Sequence, residues 1–197
     1  ITSVPSAATV AATPEEDEVE ITVTGEQQRG YRVPNASTAT KTDTPLRDVP
    51  QSIQVIPKQL IEDRKITRIS EVLRNVSGVT PQGGFAGNTD NYNIRGFTTY
   101  DNLRNGFYSQ DGNVNPTNIE RIEVLKGPAS ILYGQFEPGG IVNYVTKRPL
   151  SEPFYSGEFL AGNYNTYRPS IDISGPLNAD KSVLYRLNAA YESSGSF

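Results

Sequence analysis

Apolar and polar positions along this chain follow three different rhythms. Up to about residue 19 there is no apolar clustering: ITSVPSAATVAATP is small and proline-containing, and Glu15 to Glu20 places five acids in six residues. Such a stretch cannot bury enough surface to offset its chain entropy, and residues 1–19 read as a disordered tether. Residues 20–35 open with Glu20-Ile21-Thr22-Val23-Thr24-Gly25, a short alternating β-branched segment. Alone it cannot cover both of its faces. It suits addition as a strand to the open sheet edge of a partner, and equally a plain linker or the first strand of the next domain.

The middle rhythm, residues 36–150, alternates short strands and short helices irregularly. Ser52 to Ile56 predicts a strand after Pro50, and Pro57 can open a helix through Ile61 and Glu62. Ile69, Val72, Leu73 and Val76 recur at helical spacing and predict one buried helix face, with Thr67 as a candidate cap and Gly78 as a stop. A short strand at VTPQ leads through a polar glycine loop to a strand at Tyr92 to Arg95, and TTYDNLRNGFYSQDGNVNP reads as loop and turn with aromatics. The unit Asn118 to Pro149 is the most specific. It combines a strand carrying Ile122, Val124 and Leu125, a Gly127-Pro128 turn and about one helical turn over Ala129 to Tyr133. Gly134 then suits a left-handed cap, Pro138-Gly139-Gly140 reverses the chain, and IVNYVT forms a second strand. The expected fold is a small α+β domain around a mixed sheet.

The third rhythm, residues 151–197, is strict alternation. SGEFLAGNYN, TYRPSIDISGPL and SVLYRLNAAYESSG predict three long strands. In the middle one Tyr167, Ile171 and Ile173 oppose Arg168, Ser170, Asp172 and Ser174. In the last, Val183, Tyr185, Leu187, Ala189 and Tyr191 oppose Leu184, Arg186, Asn188, Ala190 and Glu192. Strands of about 9–11 residues with one apolar face fit a transmembrane β-barrel, and a soluble antiparallel sheet gives the same alternation. Three strands do not close a barrel, whose smallest members have about 8, so the barrel reading implies a longer protein.

Composition narrows the chemistry. Eighteen Lys and Arg against 22 Asp and Glu give a net charge of −4, without the basic face a nucleic-acid partner needs. Cys and His are absent, so thiolate, imidazole and zinc-cluster chemistry cannot be built from this chain. Carboxylate pairs remain, such as Asp90 with Asp101 or Asp111, but no motif spacing links them, and the expectation is not an enzyme. No apolar run approaches the ~18 residues of a membrane helix, which leaves a strand-built barrel open.

The landmarks DVPQSIQVIP, ISEVLRNVSGV, NIRGF, IERIEVLKGPASILYG and GGIVNYVTKRP, in this order between Lys41 and Pro149, resemble the plug domain of TonB-dependent outer-membrane receptors. Among those receptors, the ferrichrome-type siderophore receptors are the most similar. The resemblance implies a plug inside an outer-membrane barrel of about 22 strands, with the N-terminus in the periplasm and import energised through TonB. It implies that Glu20, Ile21, Thr22, Val23 and Thr24 are the box bound by the TonB C-terminal domain. Arg95 and Lys126 match two plug positions that pair with carboxylates on the barrel wall, although related receptors often carry Arg where Lys126 stands, and a lysine cannot make the two-pronged contact. Three loops match the extracellular apex: Gln82, Gly83 and Phe85; Tyr100, Asp101 and Asn102; Tyr108, Ser109 and Gln110. Their aromatic, amide and hydroxyl groups suit an oxygen-rich ferric siderophore, carried as cargo with no resident cofactor and no metal site. Cobalamin, haem or an oligosaccharide would be the alternative cargo.

Overall fold

The computed structural model describes residues 31–83, 90–110 and 114–195. Its organising element is a five-stranded mixed sheet. Strand β3 (Ser52–Pro57) pairs antiparallel with β9 (Ile119–Lys126), and β9 pairs antiparallel with β10 (Gly140–Thr146). Then β10 runs parallel to β7 (Asn102–Arg104), which pairs with β8 (Phe107–Ser109). β10 (GIVNYVT) is a near-continuous apolar run, and β9 is buried from Ile122 through Leu125, because both of their faces are covered there. Even-numbered side chains (Ile122, Val124, Val142, Tyr144) face one core, which α1 (Lys58–Asp63) and α2 (Ile69–Leu73) close with Ile61, Ile69, Val72 and Leu73. Odd-numbered ones (Leu125, Ile141) face a second, smaller core with Leu103, Ala39, Val49 and Ala129. The period of two along a strand thus sorts one motif into two cores.

The remaining elements follow the same local logic. β1 (Asn35–Ala36) and β2 (Thr44–Pro45) make a minimal ladder. β4 (Val79–Gly83), β5 (Asp90–Ile94) and β6 (Phe97–Thr99) form an antiparallel sheet. Arg95 (φ 51°) and Gly96 (φ 86°) make the two-residue turn between β5 and β6, so Arg95 belongs to the turn rather than to the strand that the sequence suggests. Asn105 (φ 52°) and Gly106 (φ 81°) make the same kind of turn between β7 and β8. This hairpin lies where the sequence reads as loop; Asn105-Gly106 marks its turn locally, but its place in the sheet comes from pairing with β10, about forty residues later.

Helix α2 starts at Ile69 with Arg68 at its cap position and no side-chain capping bond, so Thr67 is not the cap. Packing of its apolar face holds it instead. α3 is only Ser130–Tyr133, with Ala129 at its cap position rather than inside the helix. Gly134 ends it at φ 82°, ψ −143°, a glycine-only extended conformation and not the left-handed cap.

Beyond Pro149 the chain forms an antiparallel sheet of β11 (Phe154–Gly162), β12 (Thr166–Pro176) and β13 (Leu184–Ala190). Its polarity is inverted relative to a soluble sheet. Arg168, Asp172 and Ser174 are buried against the preceding domain, while Tyr155, Phe159, Tyr167, Ile171 and Leu187 are exposed. Water-soluble sheets turn the apolar face inward; this one keeps its polar face inside.

Candidate functional site

Two regions could carry function: the loop end of the plug sheets and the seam between the domain and the outward-apolar sheet. Strand register gathers the loops. Gly83 pairs with Asp90 and Gln82 with Asn91, and Thr99 lies opposite Tyr92, so Gln82, Gly83 and Tyr100 stand at one end of the β4–β5–β6 sheet. Asn102 pairs with Ser109, which brings the second and third loops together. The Tyr108 hydroxyl donates to Asp101 Oδ1 at 2.7 Å, and Gln110 Nε2 donates to the Tyr108 oxygen at 2.8 Å. The bond to Asp101 raises the phenol pKa, because it stabilises the protonated form. Tyr100 and Tyr108 are exposed, and the Tyr108 ring tilts against Phe136 at 5.9 Å. Asn102 departs from expectation: it is 2 % exposed, its side chain buried at the sheet rather than offered to a ligand. β7 is an inner strand, between β10 and β8, and its consecutive residues Asn102 and Leu103 are both buried. Phe85 and the segment Glu20, Ile21, Thr22, Val23 and Thr24 lie outside the described residues.

Arg95 and Lys126 do come together. The Arg95 guanidinium lies beside Gly127, the residue after Lys126. Burial, and then the Arg95 charge, hold the Lys126 ammonium below the usual lysine range. Lys126 donates to Gln54 Oε1 at 3.2 Å, and among the described residues neither cation has a carboxylate partner. Two adjacent cations with a depressed lysine pKa form a site that a carboxylate would stabilise.

Sequence reasoning missed the contacts that the chain supplies to itself at the seam. Asp172 on β12 accepts from Lys147 Nζ at 2.9 Å and from Arg186 on β13 through both oxygens, at 2.9 and 2.7 Å. All three side chains are less than a tenth exposed. Arg186 also donates to the Arg148 carbonyl at 2.7 Å. Arg168 Nη2 donates to Asn115 and Thr117 at 2.9 and 2.8 Å; Arg68 meets Glu192 at 3.2 Å and Lys65 meets Glu158 at 2.7 Å. The available signal was the charge on the polar face of each alternating strand, since a buried charge requires a partner. A second omission is Glu123, fully buried in β9 and bonded to Ser37 and Thr38.

A small α+β body ion-paired to the polar face of a sheet whose apolar face points outward is a plug seated against the wall of a membrane β-barrel. The sequence comparisons carry that class to a family. The model of the TonB-dependent receptor plug domain matches residues 45–141. The metal-pseudopaline receptor of Pseudomonas aeruginosa is 42 % identical over 190 residues, covering 90 % of this chain and 26 % of the receptor. The ferrichrome outer membrane transporter/phage receptor of Escherichia coli K12 is 34 % identical, covering 96 % of this chain and 28 % of the transporter. Among solved structures, the pyoverdine outer membrane receptor of P. aeruginosa PAO1 superposes with a TM-score of 0.80 at 30 % identity, over 87 % of this chain and 26 % of that one. The chain belongs to the TonB-dependent receptors and carries their plug domain. It spans about a quarter of the length of these relatives.

Proposed function

We propose that this chain is the plug and first wall strands of an outer-membrane receptor that binds a ferric siderophore and admits it to the periplasm by TonB-driven plug movement. The observation that carries the reading is the ion-paired seat of the plug on an outward-apolar wall, with Tyr100, Asp101, Tyr108 and Gln110 gathered at a loop end. The names of the similar receptors support it. In this reading Glu20 to Thr24 adds as a strand to TonB, Arg95 and Lys126 take carboxylates from later wall strands, and the ferric chelate is cargo rather than a resident cofactor. The chemistry assigned is transport, with no catalysis.

Charge narrows the cargo. Residues 82–94, 97–103 and 107–114 contain Asp90, Asp101 and Asp111 and no Lys or Arg. Exposed aromatic faces beside carboxylates favour a neutral or cationic chelate over a polyanionic one. The test uses the purified full-length receptor and one ferric trihydroxamate in three forms: bearing a free amine, the amine acetylated, and the amine succinylated. The cationic and neutral forms are expected to bind at least about tenfold tighter than the anionic one, a difference of ~1.4 kcal/mol, and Asp101→Asn should narrow the gap. Tightest binding by the anionic form would overturn the charge reading. Binding of cobalamin or haem with none of the three chelates would overturn the siderophore reading itself.

A further inference from the structure

We propose that Glu123 is a positioning residue that clamps the N-terminal approach of the chain to the plug at Ser37 and Thr38. Glu123 is fully buried on the odd-numbered face of β9, an inner strand of the five-stranded sheet. Its carboxylate accepts from the backbone N–H groups of Ser37 (2.9 Å) and Thr38 (2.7 Å) and from the Thr38 hydroxyl (2.6 Å). The Thr38 oxygen also accepts from Asn143 Nδ2 at 2.8 Å, and Asn143 Oδ1 accepts from the Gly106 N–H at 3.0 Å. The Thr38 carbonyl accepts from the Tyr133 hydroxyl at 2.7 Å. One buried threonine is therefore held at once by β9, by β10 and by the segment of α3.

A buried carboxylate is strongly unfavourable unless donors surround it. Here four of its donors, including the Ser37 hydroxyl at 3.4 Å, come from a single stretch, Ser37–Thr38, so the carboxylate and the segment hold each other. The remaining donor is different. Arg121 Nε, 2.6 Å from Glu123, lies on the same strand, and its side chain is partly exposed. If residues 37 and 38 leave, Glu123 keeps that counter-ion. The clamp can therefore open without stranding a charge, which suits a contact made to be released and remade. Under the proposed TonB-driven reading, tension on the N-terminal tether meets the exposed Tyr31–Asp63 bond and then this buried clamp. The clamp itself is tested without reference to transport.

The experiment uses the full-length receptor freed of other cysteines. A thiol introduced by Ala39→Cys, in the small core next to Thr38, reports the clamp; one introduced by Val72→Cys, in the main core, reports global opening. Maleimide labelling rates follow the equilibrium of local opening. Glu123→Gln is expected to speed labelling at position 39 by about tenfold or more, while position 72 stays protected and affinity for the ferric trihydroxamates above is unchanged. Tyr133→Phe, which removes only the bond to the Thr38 carbonyl, should speed position 39 by about threefold. Position 39 staying as protected as in the parent would overturn the proposal. So would an equal rise at positions 39 and 72, which makes Glu123 an ordinary core residue. Absence of chelate binding with the labelling pattern as expected would count against the receptor reading and leave the clamp standing.

Discussion

Asp172→Ala is expected to loosen the plug from its wall and to cost about 3–5 kcal/mol. Asp172 is the shared acceptor of Lys147 and Arg186, and all three side chains are almost wholly removed from solvent. Deleting it leaves the buried Arg186 without a carboxylate and Lys147 with only the half-exposed Glu62 at 4.0 Å, and that poorly compensated charge is the source of the effect, more than the lost attraction. The chain passes directly from Lys147 through Pro149 into the first wall strand, so the defect falls on the hinge of plug and barrel. Thermal unfolding of the detergent-solubilised receptor should move to lower temperature, and protease should gain access near Pro149. Adding Lys147→Met to Asp172→Ala removes one of the stranded cations, so the double variant should be more stable than the sum of the two single losses, as expected for coupled neighbours. Strict additivity would mean that the triad is not a unit.

Gly139→Ala and Gly140→Ala should each be worse than typical core truncations, at about 3 kcal/mol or more. A Cβ on Gly139 would run into the Ile94 carbonyl and lie 2.9 Å from Phe97 Cβ. A Cβ on Gly140 would run into the Leu125 carbonyl, and the residue also sits at φ 145°, where L side chains are strained. Backbone carbonyls cannot rotate aside as a flexible side chain can. The double-glycine turn is thus the point where the β5–β6 turn, carrying Arg95, presses on the β9–β10 pair, carrying Lys126. Gly134→Ala is the control: its added Cβ meets nothing within 4 Å, so only its backbone conformation (φ 82°) opposes the change, a cost of about 1–3 kcal/mol. Yield and melting temperature of the three variants give the comparison. A Gly139→Ala receptor as stable as its parent would show that the close approach is not a real constraint.

How much of this was legible in the sequence depends on the range of the interaction. Helix α2 was readable because Ile69, Val72 and Leu73 recur at helical spacing; Val76, expected on the same face, is buried but lies just beyond the helix end. The wall strands were readable because the alternation in Thr166–Pro176 is local and long. The β7–β8 hairpin was not read, even though Asn105-Gly106 is the strongest short-range hairpin signal, because strands of three residues carry too little pattern of their own. The loop residues Tyr100, Asp101, Tyr108 and Gln110 were placed by resemblance, and only the register shows why Asn102 turns inward among them. Glu123 looked like an ordinary charge between apolar neighbours. Its partners lie 85 and 86 residues away in sequence, and no periodicity reaches that far. The Asp172 triad joins Lys147 at the end of the plug to Arg186 on the last described strand. Its members were visible as charges on polar faces, but their pairing was not.

The inverted sheet is the claim on which the rest stands, and collision of nitroxide labels with membrane-soluble oxygen and a water-soluble nickel chelate tests it most directly. With the full-length receptor in lipid, labels replacing Phe159, Ile171 and Leu187 should meet oxygen and escape nickel, while labels replacing Ser170 and Asn188 should be shielded from both. Nickel reaching positions 171 and 187 as freely as a loop site would place that face in water and contradict the plug-and-wall account.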